Sequence, residues 1–250
     1  MIRFIILACA LNVVGCVGSH FVIPEHAERV LVLRSGRHYC AAFQYRGYVV
    51  TAMHCVDDDD SPRLRRLGNP HETTAQVLAM GPQDIALLLP DETMVAGVEP
   101  FDRAPDVREA DYVRSIGHPG RSYWVEKRGA FRGRHTFDDG RVMLVSDIDV
   151  RPGDSGGVLL DPYGRAMGVN VIRATKYDDD GERTVRMYSV PVDFVDELID
   201  RYAFEVEPQC RPLEPGVDEF GDGACPPLPM YFAPPLELGA DTAGLEKYLR

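Results

Sequence analysis

The chain has 250 residues, of which 45% are hydrophobic and 26% are charged, and this is the composition of a globular protein rather than of a disordered one. Its formal net charge is −12, so it lacks the surplus of lysine and arginine with which nucleic-acid-binding proteins neutralise phosphates. The 23 glycines and 19 prolines favour many short strands joined by turns. We therefore expect a mostly β protein and no nucleic-acid partner.

Residues 1–15 have the pattern of a secretory signal peptide. Arg3 precedes an apolar run over residues 4–14, which is the order of charge and hydrophobicity that export signals show. The run ends in Val-Val-Gly before Cys16 and so resembles the lipobox of bacterial lipoproteins, in which the cysteine carries the lipid. An ordinary signal cut after Ala10, for example, is the alternative. We expect export, with a lipid anchor at Cys16 in the bacterial cell envelope, or otherwise a periplasmic or extracellular protein.

The cysteine count suits an oxidising compartment. If Cys9 leaves with the signal and Cys16 carries lipid, an even number of thiols remains, enough for two disulfides. These thiols are Cys40, Cys55, Cys210 and Cys225. None has the Cys-x-x-Cys spacing of zinc or redox sites, and the acidic runs 57–60 and 178–180 lack the alternation of a calcium loop. No metal or cofactor is expected.

Short segments rich in Val, Ile, Leu or Tyr follow one another from about residue 28, each bounded by Gly, Pro or Asp. Such segments are typical of β-strands. The predicted strands are residues 29–33, 38–45, 48–52, 75–80, 85–89, 112–116, 122–131, 142–148, 158–160, 166–172 and 184–190. A break near residues 102–109 divides them into two groups. We therefore predict two packed antiparallel β-barrels, over about residues 28–103 and 108–191.

A helix and a tail follow the predicted strands. Pro191 suits a first helical turn, and apolar residues at Val195, Leu198, Ile199 and Tyr202 have the spacing of one helix face, so we predict a helix over 191–203. Residues 205–250 are rich in proline and acidic residues and are predicted to form an irregular tail.

Three short motifs contain the residues that can do chemistry. His54 follows an apolar strand in Thr-Ala-Met-His-Cys, Asp84 precedes the apolar run 85–88, and Ser155 lies in Pro-Gly-Asp-Ser-Gly-Gly. Each motif alone has an ordinary explanation as a turn or a glycine-rich loop. In the order His, Asp, Ser, however, they resemble the chymotrypsin-like serine proteases. A nucleophile elbow of the α/β-hydrolase kind is excluded, because it needs a histidine after the serine and the last histidine is His135.

This resemblance implies a role for each residue. His54 would be the general base, Asp84 would orient its ring, and Ser155 would be the nucleophile. The amides of Gly153 and Ser155 would form the oxyanion hole. It also implies two six-stranded barrels in a peptidase domain over residues 22–204.

Finer matches point to the bacterial HtrA-type branch over about residues 28–204. Ile-Gly-His-Pro-Gly at 116–120 resembles the Ile-Gly-Asn-Pro turn of that branch, and Ser-Asp-Ile-Asp at 146–149 resembles its Thr-Asp-Ala-Ala.

The cysteines depart from the pattern of the HtrA-type branch. Cys40 and Cys55 instead resemble a disulfide pair of the trypsin branch, which leaves Cys210 to pair with Cys225 by elimination. No PDZ domain is expected in the tail, and no activation terminus of the trypsin kind is visible.

Two residues bear on substrate choice. Asp149 lies six positions before Ser155, the offset at which trypsin-like enzymes place the acid at the floor of their primary pocket. The resemblance implies that a carboxylate there would favour Arg or Lys in the substrate. Arg173 lies near the position where trypsins keep a small glycine. If Arg173 turns inward, it would pair with Asp149 and fill the pocket. The alternative is that Asp149 is a solvated loop residue.

The sequence therefore predicts a secreted serine endopeptidase that acts on proteins or peptides through an acyl-enzyme. Two alternatives remain open: a catalytically silent, protein-binding relic of the same fold, and a serine esterase on the same scaffold. A membrane is expected as a partner only through the lipid at Cys16.

Overall fold

The computed structural model describes residues 23–56, 61–105, 108, 111–119, 123–177 and 183–206. The predicted signal segment with Cys16 and the proline-rich tail with Cys210 and Cys225 lie outside the described residues, and so do both acidic runs. Within the described residues, no helix combines the length and the apolar character needed to cross a lipid bilayer.

The N-terminal half is an antiparallel sheet of seven strands. They are β1 (Val30–Ser35), β2 (His38–Tyr45), β3 (Tyr48–Ala52), β4 (Arg63–Arg65), β5 (Thr73–Thr74), β6 (Gln76–Gly81) and β7 (Ile85–Leu89). Their order in the sheet is β5-β4-β1-β2-β3-β7-β6. β3 pairs with β7 in the register Ala52↔Ile85, so the end of β3 lies beside the start of β7. A short helix, α1 (Glu92–Val95), follows β7.

The C-terminal half is a closed barrel of six antiparallel strands. They are β8 (Tyr112–Gly117), β9 (Val125–Thr136), β10 (Val142–Ser146), β11 (Val158–Leu160), β12 (Ala166–Tyr177) and β13 (Arg183–Pro191). Around the barrel the order is β10-β13-β12-β11-β8-β9. The loop from β10 to β11 contains Ser155, and helix α2 (Val192–Val206) follows β13 directly.

The predicted fold class, an all-β double barrel with one C-terminal helix, is confirmed. Two details differ from the prediction of six strands in each barrel and a helix that starts at Pro191. The N-terminal sheet is an open half-barrel of seven strands. The sequence did not predict β4 and β5, because they are too short to give a periodic pattern. Pro191 belongs to β13, where it lies opposite Gly168, and the helix starts one residue later.

One hydrophobic cluster spans the two halves, and a second, smaller cluster fills the C-terminal barrel. Buried side chains from both halves and from α2 form a single cluster, which includes Phe43, Leu87, Ile116, Val169 and Val195. One polar contact reinforces this interface: the buried indole of Trp124 donates a hydrogen bond to the carbonyl of Val30, with a nitrogen–oxygen distance of 2.6 Å. The relative position of the halves, on which any site between them depends, is therefore fixed by packing.

His118 is a buried ionisable group at this interface. Its ring lies edge-on to Trp124, with the ring centres 4.6 Å apart, and the Arg65 guanidinium lies over the same indole. Burial lowers the pKa of His118 to about 4, and the positive charge of Arg65 acts in the same direction. The ring is therefore neutral in the folded protein under conditions in which an unfolded chain would protonate it.

We expect His118→Asn to flatten the pH dependence of stability. Above the unfolded pKa of about 6.5 the ring is neutral in both states, so the histidine adds no pH-dependent term. As the pH falls from there towards the folded pKa, only the unfolded chain takes up the proton. Between pH 7 and 4.5 the wild type should then lose about 2–3 kcal/mol more unfolding free energy than the variant, as measured by urea unfolding.

The matched control is His38→Asn, which removes an exposed imidazole and should leave the wild-type pH dependence unchanged. Parallel stability curves for wild type and His118→Asn would contradict the prediction.

Candidate active site

His54 and Asp84 lie side by side, because His54 follows the end of β3, Asp84 precedes the start of β7, and these two strands are paired. His54 lies in a single helical turn (Met53–Cys55) directly after β3, and Asp84 lies in the turn before β7. His54 Nδ1 is 2.8 Å from Asp84 Oδ2, and the backbone N–H of His54 donates to Asp84 Oδ1 at 3.0 Å. The Asp84 carbonyl also accepts the N–H of Met53. The aspartate thus holds both the ring and the backbone of the histidine.

The backbone of Asp84 is in the left-handed region, with φ of 61°. Aspartate is among the few residues other than glycine that tolerate this region. Its three hydrogen bonds to Met53 and His54 compensate for this conformation. Because a carboxylate bonded to Nδ1 keeps the proton on that nitrogen, Nε2 is left with a lone pair that can accept a proton. The His54 side chain is 37% exposed, so this atom can reach a bound molecule.

A disulfide joins Cys40 of β2 to Cys55, the residue after His54. The next residue of β2, Ala41, donates its N–H to the carbonyl of Ser155 at 2.8 Å. The disulfide therefore ties the histidine turn to the strand on which the serine loop rests. The sulfurs of Cys40 and Cys55 lie within 4.8 Å of a ring nitrogen of His54, but they are bonded to each other and cannot act as thiolate metal ligands.

Gly156, which follows Ser155, fits against the N-terminal sheet. Its φ is 77°, and a side chain there would overlap the carbonyl oxygen of Ala41 and the hydroxyl of Thr51. The added carbon would also lie 3.1 Å from the backbone nitrogen of Ala52, two residues before His54. Both the backbone conformation and the close approach therefore require glycine. This contact brings the serine loop of one half next to the histidine turn of the other.

The buried residue Asn170 holds the same loop through its backbone. Its backbone exchanges hydrogen bonds with Gly156 and Gly157. Its amide donates to the Ser115 hydroxyl at 2.7 Å and accepts from the Ser189 hydroxyl at 3.0 Å. Asn170 is not among the site residues predicted from the sequence. A single polar residue in a buried strand was the available signal, since such a group must find partners.

Two backbone donors of the serine loop make no hydrogen bond to the rest of the described residues. Within the described residues, no hydrogen-bond acceptor lies against the amide N–H of Gly153 or of Ser155. The Gly153 carbonyl instead accepts the N–H of His118, and the φ of Gly153 is 101°. Two neighbouring free amides of this kind can bind an anionic oxygen.

Asp149 and Arg173, singled out from the sequence for substrate choice, form an ion pair. Arg173 Nε and one of its terminal nitrogens each lie 3.2 Å from Asp149 Oδ1. The side chains are 36% and 40% exposed, respectively, so the pair lies at the surface of the serine-loop region rather than at the bottom of a dry pocket.

Lys127 and Asp154 form a second ion pair, which sequence reasoning missed. Asp154, directly before Ser155, is 1% exposed, and its Oδ2 binds the Lys127 ammonium of β9 and the N–H of Arg151. Burial raises the pKa of Asp154, while the hydrogen bonds from Lys127 and Arg151 oppose the shift. An aspartate between a glycine and the serine did signal a buried charge, but nothing in the sequence identified its partner 27 residues away.

We expect Gly156→Ala to destabilise the fold more than Gly140→Ala does. Both glycines have similar positive φ, 77° and 84°, but an added carbon at Gly140 has no neighbour within 4 Å. Gly140→Ala should cost about 1 kcal/mol from backbone strain alone. Gly156→Ala should cost about 3 kcal/mol, because the loop must also move away from Ala41 and Thr51. Urea unfolding measures both values, and equal losses would show that the loop does not press on the sheet.

Comparisons with known proteins agree with this arrangement. Residues 36–169 match the family model of the trypsin-like peptidase domain. The chain is 30% identical over 166 residues to a chloroplastic Protease Do-like 2 of Arabidopsis thaliana, an alignment that covers 62% of this chain and 26% of the relative. It is 32% identical over 128 residues to a probable periplasmic serine endoprotease, DegP-like, of Pseudomonas putida, covering 50% of this chain and 26% of the relative. The chain thus spans about a quarter of the length of these relatives.

Solved structures share the fold. A serine endoprotease from Yersinia pestis superposes with a TM-score of 0.59 at 18% identity, covering 72% of this chain and 64% of the other. An inactive form of the Rv3671c protease from M. tuberculosis gives a TM-score of 0.58 at 20% identity, covering 75% and 90%. The matched family model covers more than half of the chain and includes His54, Asp84 and Ser155. This chain therefore belongs to the trypsin-like peptidase domain family, and its resemblance to the HtrA-type members is confirmed.

Proposed function

We propose that this protein is a serine endopeptidase that cuts peptide bonds with His54, Asp84 and Ser155. The observation that carries the proposal is the His54–Asp84 pair at 2.8 Å, beside which the Gly156 contact seats the serine loop. A serine hydroxyl is a weak nucleophile and needs an adjacent base. A histidine whose Nδ1 is bonded to a carboxylate, and whose Nε2 carries the lone pair, meets that need.

The chemistry proceeds in two halves. His54 Nε2 takes the proton of the Ser155 hydroxyl as the oxygen attacks the peptide carbonyl, and the amides of Gly153 and Ser155 bind the resulting oxyanion. His54 then gives the proton to the leaving amine as the carbon–nitrogen bond breaks and an acyl-enzyme remains. Water, deprotonated by His54, hydrolyses the ester and returns the hydroxyl to Ser155. Asp84 stabilises the imidazolium in each half. No step of this chemistry needs a metal or a cofactor.

Two alternative functions are compatible with the same fold. A catalytically silent, protein-binding relic would keep the scaffold and lose the chemistry. The free amides of Gly153 and Ser155 favour an enzyme, because a protein that only binds has no use for an anion site beside a serine. A serine esterase would use the same residues, and only the choice between ester and amide substrates distinguishes it.

We also propose that the protein is exported and carries a lipid on Cys16. Its relatives include proteases named as periplasmic and as chloroplastic, so they work outside the compartment of their synthesis. The signal-like residues 1–15 and the lipobox-like cysteine that follows them support the same location.

A fluorophosphonate probe tests the activity and the location together. In cells that express the full chain, the probe should label the wild type in the membrane fraction. Ser155→Ala should abolish labelling, and His54→Ala should reduce the rate on the order of 10⁶-fold, because the triad acts as a unit. Cys16→Ser should move the labelled band out of the membrane fraction. Unfolding curves that match wild type would show that the variants are folded.

An unlabelled wild type would support the relic. Labelling together with turnover of esters but not of peptide amides would support the esterase. A labelled Cys16→Ser chain that fractionates like wild type would contradict the lipid anchor alone.

We propose further that Arg173 pairs with Asp149 at the solvent-exposed mouth of the primary pocket and so neutralises the carboxylate. The two hydrogen bonds at 3.2 Å leave little negative charge to attract a basic substrate side chain. The wild type should therefore prefer small apolar residues before the cut bond. Asp149→Ala alone should then change this preference little.

Arg173→Gly should open a new preference for Arg or Lys of about tenfold or more, measured with matched peptide substrates. The new preference should vanish when Asp149→Ala is added, because it depends on the exposed carboxylate. Arg132→Gly is the control. Arg132 is an exposed arginine of β9 that pairs with Asp147, and its loss should leave specificity unchanged. Additive effects of Asp149 and Arg173 would show that the two residues do not share a pocket.

A further inference from the structure

The carboxylate next to the nucleophile is enclosed on every side that the structure describes. Asp154 is 1% exposed, and a side chain at Gly117 would overlap its Oδ1. No hydrogen-bond partner lies against that oxygen within the described residues. A buried carboxylate with only one satisfied oxygen is costly unless a cation lies close to it. At Asp154 the cation is Lys127.

Lys127 and the serine loop belong to different elements. Lys127 lies on β9, its side chain is 17% exposed, and its ammonium contacts Asp154 Oδ2. The same oxygen accepts the N–H of Arg151 at 2.6 Å, and the N–H of Asp154 returns a bond to the Arg151 carbonyl. The Asp154 carbonyl accepts the N–H of Gly157. The position of this carboxylate therefore determines the shape of the whole turn from Arg151 to Gly157.

The two donor amides lie on either side of the buried carboxylate. Gly153 precedes Asp154 and Ser155 follows it. If the carboxylate turned outward to reach water, it would lose the hydrogen bond from the N–H of Arg151, and the backbone that carries both amides would be held less firmly in its turn. The ion pair thus bears on the anion site through the backbone, although Lys127 does not touch that site.

We propose that Lys127 is a positioning residue, whose ammonium keeps the Asp154 carboxylate buried and thereby holds the Gly153 and Ser155 amides together as an oxyanion hole. The proposal rests on the proposed serine-peptidase function and adds to it the residue that sets up the site. Because the cation is a side chain within the chain, the arrangement forms on folding and needs no proteolytic cut to create a new amino terminus.

Charge removal at both partners tests the proposal. Lys127→Met should lower kcat/KM and the rate of fluorophosphonate labelling at least about 100-fold, mainly through kcat, because it leaves a buried charge uncompensated. Asp154→Asn removes that charge and should cost less than about tenfold. In the Asp154→Asn background, adding Lys127→Met should change activity less than about threefold, since no charge then needs a partner. Arg132→Met, on the same strand, is the control and should behave like wild type.

The double variant distinguishes positioning from simple packing. If Lys127 matters only for its shape, the double variant will be as poor as Lys127→Met, and the proposal is wrong. It is equally wrong if Lys127→Met retains activity within threefold of wild type. Should Lys127→Met fail to fold, the comparison of Asp154→Asn with the double variant still decides, because both lack the buried charge.

Failure of the proposed function itself gives a different result. A wild type that neither takes the probe nor cuts peptides contradicts the peptidase proposal, and the loop is then followed by fluorescence. Trp124 is the single tryptophan, and it contacts His118, whose N–H is bonded to the Gly153 carbonyl. Lys127→Met should shift the Trp124 emission and the double variant should restore it. An unshifted emission in Lys127→Met would overturn the positioning role.

Discussion

The close approach of the serine loop to the N-terminal sheet is the constraint on which the rest of the site depends. The Gly156 backbone fits against Ala41 and Thr51 with no room for a side chain, and Ala41 bonds to the carbonyl of Ser155. One half of the protein supplies the proposed base and the other supplies the proposed nucleophile, so in the proposed mechanism a shift of even an ångström between them would separate the reacting atoms. The shared core and the Trp124 contact with Val30 prevent that shift.

Buried polar groups hold the loop at this position. Asp84 bonds the ring and the backbone of His54, Asn170 joins the loop to β12 and two serines, and Asp154 pairs with Lys127. Each of these groups would be costly to bury alone, and each is balanced by a partner from another element. The site is rigid because its polar groups can be satisfied in only one arrangement of the strands. Asp149 and Arg173 differ in being partly exposed, so solvent screens their attraction and the pair contributes less to the rigidity of the site.

Much of the fold followed from local pattern. The alternating and apolar segments predicted β2, β3, β7 and β11 with the bounds that the structure has, because these strands are short, apolar and closed by Gly, Pro or Asp. The three-residue strand β4 and the two-residue strand β5 were missed, because they form by pairing with β1 and with each other and have no periodicity of their own. Pro191 was assigned to the helix on local grounds, whereas pairing with Gly168 places it in a strand.

The sequence by itself was enough to predict the family, and to propose His54, Asp84 and Ser155 as its site, because three short motifs occur in the order that is typical of that family. It also predicted that Arg173 would pair with Asp149 if the arginine side chain turned towards the aspartate. Only the tertiary structure decided that this pair forms, that Lys127 neutralises Asp154, and that Asn170 anchors the loop. These three contacts join residues far apart in the chain, and their partners are chosen by strand register and burial. The local sequence does not indicate these partners, because a lysine on a strand has the same sequence context whether its side chain contacts water or a buried carboxylate.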